Sequence, residues 1–142
     1  LYSIPEAKII HLKRDPMAVC WSNYKMNFES NNMNFAFDQK IIAKYYKIYE
    51  KLMKYWFKKF PNKIYNLDYE VLTENQEKET RKLLNYLEIK WEKKVMDFHK
   101  NNRPVQTASN LQVKKKIYRN SSIEWKKYKN WLKPMQNILN KN

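Results

Sequence analysis

The spacing of apolar and polar residues predicts a strand followed at once by a helix near the start of the chain. Residues 8–13 (KIIHLK) form a short apolar run with β-branched side chains, which is typical of a buried strand. Asp15 and Pro16 come directly afterwards, and these residue types favour the cap and the first turn of a helix. The residues that then recur at helical spacing, and that we expect to face a core, are Met17, Cys20, Trp21 and Tyr24.

A longer helix is predicted next. Residues 29–35 are rich in Asn and predict a loop, and Asp38 is placed to cap a helix over residues 39–59. Pro61 ends that helix because proline cannot continue it. One face of the helix is apolar and consists of Ile41, Tyr45, Ile48 and Leu52.

A second strand and a further helix follow. Residues 63–67 (KIYNL) predict the strand and residues 76–87 the helix, for which Thr73 and Gln76 have the spacing of a capping box. The order strand, helix, strand, helix favours an α/β fold, helix-rich, with a parallel sheet and right-handed crossovers. At 142 residues the whole chain fits one domain with its own core.

The last third of the chain has shorter elements. Residues 91–99 predict one short helix, and residues 122–130 and 135–139 predict two amphipathic pieces on either side of Pro134. The segment 103–119 is polar, basic and irregular. A connection of that length is uncommon in a compact domain unless it has a function, so we expect a functional loop there.

The chain carries a large positive charge. It has 29 Lys and Arg against 14 Asp and Glu, which gives a net charge of +15. Such an excess predicts attraction to a polyanion or to a highly charged small ligand. The excess is mostly Lys, beside many Asn, Ile and Tyr residues, and AT-rich coding produces the same profile without selection for function. The charge alone therefore leaves the class of ligand open.

The composition offers little for metal, disulfide or membrane chemistry. Cys20 is the only cysteine, which excludes an intrachain disulfide and a cysteine-rich zinc site. His11 and His99 are isolated in the sequence, and we expect structural roles for both and no metal. Lysines interrupt each apolar stretch before it reaches the roughly 18–20 residues that span a bilayer. We expect a cytoplasmic protein without a membrane partner, and a start at Leu1 that looks cut.

Arg14 and Ser22 are the first candidates for a ligand site. Arg14 stands at the carboxyl end of the first predicted strand, where ligands bind in open α/β sheets. Ser22 lies two turns into the next helix, on the face that it shares with Ala18 and Lys25. A planar guanidinium, a hydroxyl and an ammonium group together suit a phosphate dianion.

Three segments resemble one family, and they occur in the family's order. Residues 5–24 (PEAKIIHLKRDPMAVCWSNY) resemble the strand, turn and helix of sulfotransferases, in which an Arg and a Ser eight residues later hold the 3′-phosphate of the nucleotide. Residues 64–72 (IYNLDYEVL) resemble the family's strand that ends in Tyr-Glu. Residues 103–128 (RPVQTASNLQVKKKIYRNSSIEWKKY) resemble its late loop that closes over the cofactor. The closest resemblance is to bacterial sulfotransferases that follow tetratricopeptide repeats and are similar to protein-tyrosine sulfotransferases.

The resemblance implies the C-terminal part of a P-loop-like sulfotransferase fold. It implies a sulfate donor, 3′-phosphoadenosine-5′-phosphosulfate (PAPS), a product, 3′-phosphoadenosine-5′-phosphate (PAP), and no metal. The acceptor would be a hydroxyl, with protein tyrosine among the candidates, or less readily an amine. The residues expected to bind the cofactor include basic residues next to the matching motif positions. The full set is Arg14, Ser22, Lys25, Tyr69, Ser109, Gln112, Lys115 and Tyr118.

The chain also departs from the family's pattern. Glu124 stands where a basic residue usually precedes the Trp of the last motif, and Lys116 where a Pro is frequent. The family's Gly-rich phosphosulfate loop needs crowded backbone N–H groups and positive φ angles, and a chain without Gly cannot supply it. We expect that loop and the general base in a missing N-terminal half of the same protein, with or without tetratricopeptide repeats. No catalytic residue is assigned within the chain, which we expect to be inactive alone.

Two other interpretations come from different classes of protein. A basic nucleic-acid-binding module is the main alternative, because aromatic residues alternate with lysines, although no nucleic-acid motif is present. A helical protein-interaction domain is the third interpretation, and it requires the resemblance to be accidental.

Overall fold

Two parallel strands place two predicted site residues side by side. In the computed structural model, β1 (Ile9–Lys13) pairs in parallel with β2 (Ile64–Asp68), residue for residue from the first position to the last. Both strands therefore end at the same edge of the sheet. Arg14 and Tyr69 directly follow them and meet at that edge.

The structure describes residues 3–28, 31–101 and 114–141. The α-helices of these residues are α1 (Pro16–Tyr24), α2 (Gln39–Lys59), α3 (Tyr69–Glu74), α4 (Gln76–Tyr86) and α5 (Lys133–Leu139). Short 3₁₀ helices cover Asn31–Phe37, Lys93–Lys100 and Glu124–Tyr128. The predicted α/β character, rich in helix and with a parallel sheet, is confirmed.

Aspartates begin the first three α-helices. The Asp15 side chain accepts a hydrogen bond from the Ala18 N–H at 2.7 Å, and Pro16 occupies the first turn of α1. Asp38 caps α2, whose bounds are those predicted from the sequence. Asp68 caps α3, which the sequence pattern did not reveal.

The predicted capping box of α4 is wrong. Asn75 is the cap residue and its side chain makes no capping hydrogen bond. Thr73 instead donates its hydroxyl to the Glu70 carbonyl at 2.8 Å. The reason is that Asp68 starts a separate short helix, and Thr73 lies inside that helix.

The predicted loop over residues 29–35 is also wrong in its described part, because residues 31–37 form a 3₁₀ helix. Ala36 is fully buried in the core, and the Phe35 ring stacks on Tyr45 with centroids 4.3 Å apart. Packing of these two side chains against α2 orders a segment whose polar composition favoured a loop.

The segments around residues 91–99 and 122–130 form 3₁₀ rather than α-helical turns. The last predicted helix is present as α5 and begins two residues earlier than expected, at Lys133.

The two faces of the sheet are covered by different helices. On one face His11 donates from Nδ1 to Asn66 Oδ1 at 2.7 Å, and its Nε2 is hydrogen-bonded to the Tyr49 hydroxyl of α2. On the other face the Tyr65 ring packs against Tyr86 of α4, with centroids 4.9 Å apart. His11 thus has the structural role predicted for it.

Residues from the N-terminal and C-terminal parts of the described chain pack together in one core. Leu132 and Met135 of the C-terminal region are almost completely buried against α1 and α2. This packing brings the residues just before α5 next to α1. The buried side chains of the cluster are Met17, Cys20, Ala36, Ile42, Ala43, Tyr46, Leu132 and Met135.

The apolar face predicted for α2 lies on the surface of the described chain. Ile48, at its centre, is 65% exposed. The other members are exposed to about half of their area and are Ile41, Tyr45 and Leu52. A neighbouring face of α2 supplies the core instead.

Several turns use left-handed backbone without glycine. Glu88 has φ of 59° and follows α4. There the Ile89 N–H bonds to the Leu84 carbonyl at 2.9 Å and the Glu88 N–H to the Asn85 carbonyl at 3.0 Å, the pattern of a Schellman cap. The described residues with positive φ are Asn62, Glu88 and Asn120.

Two features are absent from the described residues. No described helix is both long enough and apolar enough to cross a membrane. Among the same residues, no group of His, Cys, Asp and Glu side chains is arranged to hold a metal ion.

Candidate functional site

A pocket of about 260 Å³ opens at the carboxyl edge of the sheet, beside α1. Ligands of open α/β sheets bind at this edge, because the strand ends and the helix N-termini converge there. The predicted site residues that line the pocket are Arg14, Ser22, Lys25, Tyr69, Lys115 and Tyr118.

Arg14 is held in place from several directions. Its Nε donates to Ser122 Oγ at 3.1 Å, and its guanidinium carbon lies 4.6 Å from the centre of the Tyr69 ring. The Tyr46 hydroxyl donates to the Arg14 carbonyl at 3.4 Å. Burial raises the pKa of Tyr46, so this phenol keeps its proton at neutral pH and remains a donor. The terminal nitrogens of Arg14 make no hydrogen bond to the described residues.

One face of α1 lines the pocket, as the sequence spacing predicted. Ala18 is buried in that face, and Ser22 and Lys25 follow it at one-turn intervals. Lys25 Nζ lies 2.9 Å from Glu124 Oε2 and 5.9 Å from the centre of the Trp21 ring. The helix therefore presents a hydroxyl and an ammonium to the same space.

Tyr69 is fixed as the first residue of α3. Its hydroxyl shares a hydrogen bond of 3.0 Å with Ser121 Oγ, and its ring lies against the Arg14 guanidinium. The backbone N–H of Asp15 donates to Glu70 Oε1 at 3.1 Å. These bonds connect the segments that follow β1 and β2, so the floor of the pocket is built from both.

The pocket has a positive electrostatic balance. Lys25 lowers the pKa of Glu124 chiefly by its hydrogen bond, so that carboxylate is ionised at neutral pH. Glu124 is the one acidic residue among the described lining residues. The cationic lining residues are Arg14, Lys25, Lys115 and Lys116. An excess of cations around a small cavity favours an anionic ligand.

Two predicted site residues, Ser109 and Gln112, lie outside the described residues. The remaining six surround one pocket although they come from three separate parts of the sequence, residues 14–25, residue 69 and residues 115–118. Their individual roles in binding stay predictions.

Other lining residues were missed by the sequence reasoning. Trp21 was expected only to face the core, and it packs there while also lining the pocket. Phe98 reaches the pocket from the 3₁₀ helix Lys93–Lys100, and no motif marked it. Ser121 also lines the pocket, and it lies inside the third motif, so its place beside Tyr118 was an available signal.

Comparison with known proteins identifies the family. The model of the sulfotransferase family matches residues 2–93, well over half of the chain. This chain belongs to the sulfotransferase family. The match spans both strands and takes in the Arg14, Ser22, Lys25 and Tyr69 positions of the pocket. The pocket wall with Lys115 and Tyr118 lies beyond the matched residues.

A much longer bacterial protein is similar to nearly the whole of this member of the sulfotransferase family. An uncharacterized protein of Aquifex aeolicus (strain VF5) is 44% identical over 141 residues. The match covers 98% of this chain and 18% of that protein. The chain thus spans less than a fifth of the length of this relative.

Proposed function

We propose that this chain binds the nucleotide end of PAPS in an enzyme that transfers a sulfuryl group to a hydroxyl, or less readily to an amine. The observation that carries the proposal is the convergence of six residues, chosen from the sequence, on one pocket at the carboxyl edge of the sheet. Membership in the sulfotransferase family supports the class of reaction.

The donor groups of the pocket fit a 3′-phosphate. Arg14 offers two terminal nitrogens that no described residue accepts from, Ser22 a hydroxyl and Lys25 an ammonium, which together match the acceptor oxygens of a phosphate dianion. Tyr69 and Tyr118 add aromatic surface for the nucleoside. The volume of about 260 Å³ lies just below the range of ligand pockets, which measure about 300–1,000 Å³, and suits one end of the donor better than all of it.

The phosphosulfate end needs a partner segment. A chain without Gly is poorly suited to form a tight phosphate loop, so we assign that loop and the general base to sequence outside these 142 residues. The far greater length of the Aquifex aeolicus relative is in keeping with such a segment. In that arrangement PAPS supplies the sulfuryl group, and this chain holds and orients the nucleotide that remains as PAP.

The acceptor and the cellular setting follow from the resemblance. Protein tyrosine is included among the acceptors because the closest resemblance is to bacterial enzymes similar to protein-tyrosine sulfotransferases. Linkage to tetratricopeptide repeats and a cytoplasmic location belong to the same proposal.

The deciding experiment is isothermal titration calorimetry of the full-length protein with PAP. Arg14→Ala should weaken binding by about 1.5–3 kcal/mol, the contribution of a hydrogen bond to a charged group, which is about 10- to 150-fold in Kd. Ser22→Ala should weaken it less, because the hydroxyl is neutral.

Arg81→Ala is the matched control. It removes the same charge from the surface of α4, where Arg81 pairs with Glu77 at 2.7 Å, and PAP binding should not change. Equal affinities of wild-type protein and Arg14→Ala would refute the proposal. Displacement of PAP by duplex DNA at about 0.15 M salt would favour the nucleic-acid alternative.

A further inference from the structure

Glu124 opposes the charge of the pocket that it lines. Its Oε2 lies 2.9 Å from Lys25 Nζ, while 37% of the Lys25 side chain and 46% of the Glu124 side chain remain exposed. Ion pairs that keep contact with solvent are weak and are broken at small cost. Lys25 is therefore able to exchange Glu124 for another anionic partner.

Lys25 is also one of the side chains that the proposed function assigns to the 3′-phosphate. A phosphate that contacts this ammonium comes close to the Glu124 carboxylate, because the same nitrogen binds both. Arg14 also attracts the Glu124 carboxylate electrostatically, and this attraction contributes to the lowered pKa of that carboxyl. Like charges at such a separation repel, so phosphate binding competes with the ion pair.

We propose that Glu124 is a specificity-determining residue that weakens the hold of the pocket on the 3′-phosphate by pairing with Lys25 when no nucleotide is bound. This inference rests on the proposed function. PAP should therefore dissociate readily, because the Glu124 carboxylate pairs again with the Lys25 ammonium as the phosphate leaves. The chain departs here from the pattern it resembles, in which a basic residue would add to the cations instead of opposing them.

The test compares two nucleotides by isothermal titration calorimetry of the full-length protein. Glu124→Gln removes the charge and keeps the shape, and it should tighten PAP binding by about 3- to 10-fold, the effect of one charge on a partly screened dianion. Glu124→Lys should tighten it further. Adenosine 5′-phosphate has no 3′-phosphate, so its affinity should stay nearly constant. The gain for PAP should shrink as salt rises toward about 1 M, where the Debye length falls to about 3 Å.

Two variants isolate the ion pair. Glu88→Gln neutralises a carboxylate that pairs with Lys8 at 2.7 Å near the other end of β1, and it should leave PAP binding unchanged. In a Lys25→Met background, Glu124→Gln should have a smaller effect, because the ion pair is absent and only the direct repulsion between the carboxylate and the phosphate remains.

The outcomes separate this inference from the proposed function. Normal PAP binding by wild-type protein with no gain in Glu124→Gln overturns the inference and leaves the proposed function standing. An equal gain for both nucleotides, or an equal gain with and without Lys25, also overturns it. Wild-type protein that does not bind PAP overturns the proposed function and this inference together.

Discussion

Three contacts hold Arg14 in one orientation, which would prepare it for the proposed ligand. Ser122 holds one of its nitrogens, the Tyr69 ring supports one side of its guanidinium, and Tyr46 holds its backbone carbonyl. A side chain that is already oriented loses less conformational entropy on binding. The position of Arg14 was readable from the sequence. Its supports were not, because Ser122 comes from a segment 108 residues later.

Cys20 gives a prediction at the same scale. It is 1% exposed, and burial, reinforced by Asp15 and Glu50, raises the pKa of its thiol to about 12. Since only the thiolate reacts, and about one thiol in ten thousand would be ionised at pH 8, native protein should react very slowly with a disulfide reagent. Reaction should become fast in denaturing urea. Cys20→Ala, which removes the only cysteine of the chain, is the control, and rapid modification of the native protein would contradict the prediction.

Helices and strands with strong local signals were predicted within about two residues, and elements that depend on packing were not. Asp38 and the apolar period of α2 marked that helix correctly. The 3₁₀ helix Asn31–Phe37 was predicted as a loop, because its order comes from burial of Ala36 rather than from local residue preference. The α3 helix was hidden because it is short and begins directly at the end of β2.

The end of α4 provides a test of backbone strain. Glu88 adopts φ of 59°, where a side chain with a Cβ atom is disfavoured and Gly is preferred. Glu88→Gly should raise the midpoint of thermal unfolding by about 2–4 °C, since the exposed ion pair with Lys8 that it removes contributes little. Differential scanning calorimetry gives the midpoint. Glu88→Ala loses the same carboxylate without relieving the strain and should lower the midpoint, so equal effects of the two variants would disprove the argument.

At the scale of the whole molecule, a large apolar surface lacks cover within the described chain. The exposed face of α2 is centred on Ile48, which is 65% exposed, and Leu12 of β1 is 52% exposed. The sheet formed by the described residues has two parallel strands, which is unusual by itself, because parallel sheets are normally larger and covered on both faces. These features are in keeping with the proposed partner segment, which would cover the helix face and extend the sheet.

Because of that surface, we expect the isolated 142-residue chain to self-associate. Ile48→Ser combined with Leu52→Ser should reduce it, because both changes remove apolar area that two copies would bury together. Analytical ultracentrifugation measures the change, and Lys44→Ser with Lys51→Ser on the same helix serves as the control. In the full-length protein the apolar pair of changes should instead lower stability. An isolated chain that stays monomeric at high concentration would count against a covered face.

The hydrogen bond between Arg14 and Ser122 also has a consequence for synthesis of the protein. Its two residues are 108 positions apart, so the ribosome makes Arg14 long before the residue that orients it. Contacts of such separation form late, because the intervening chain must first be ordered. A nascent chain that stops short of Ser122 carries the strand and the arginine but lacks this support, so the orientation of Arg14 is completed only after Ser122 has been synthesised.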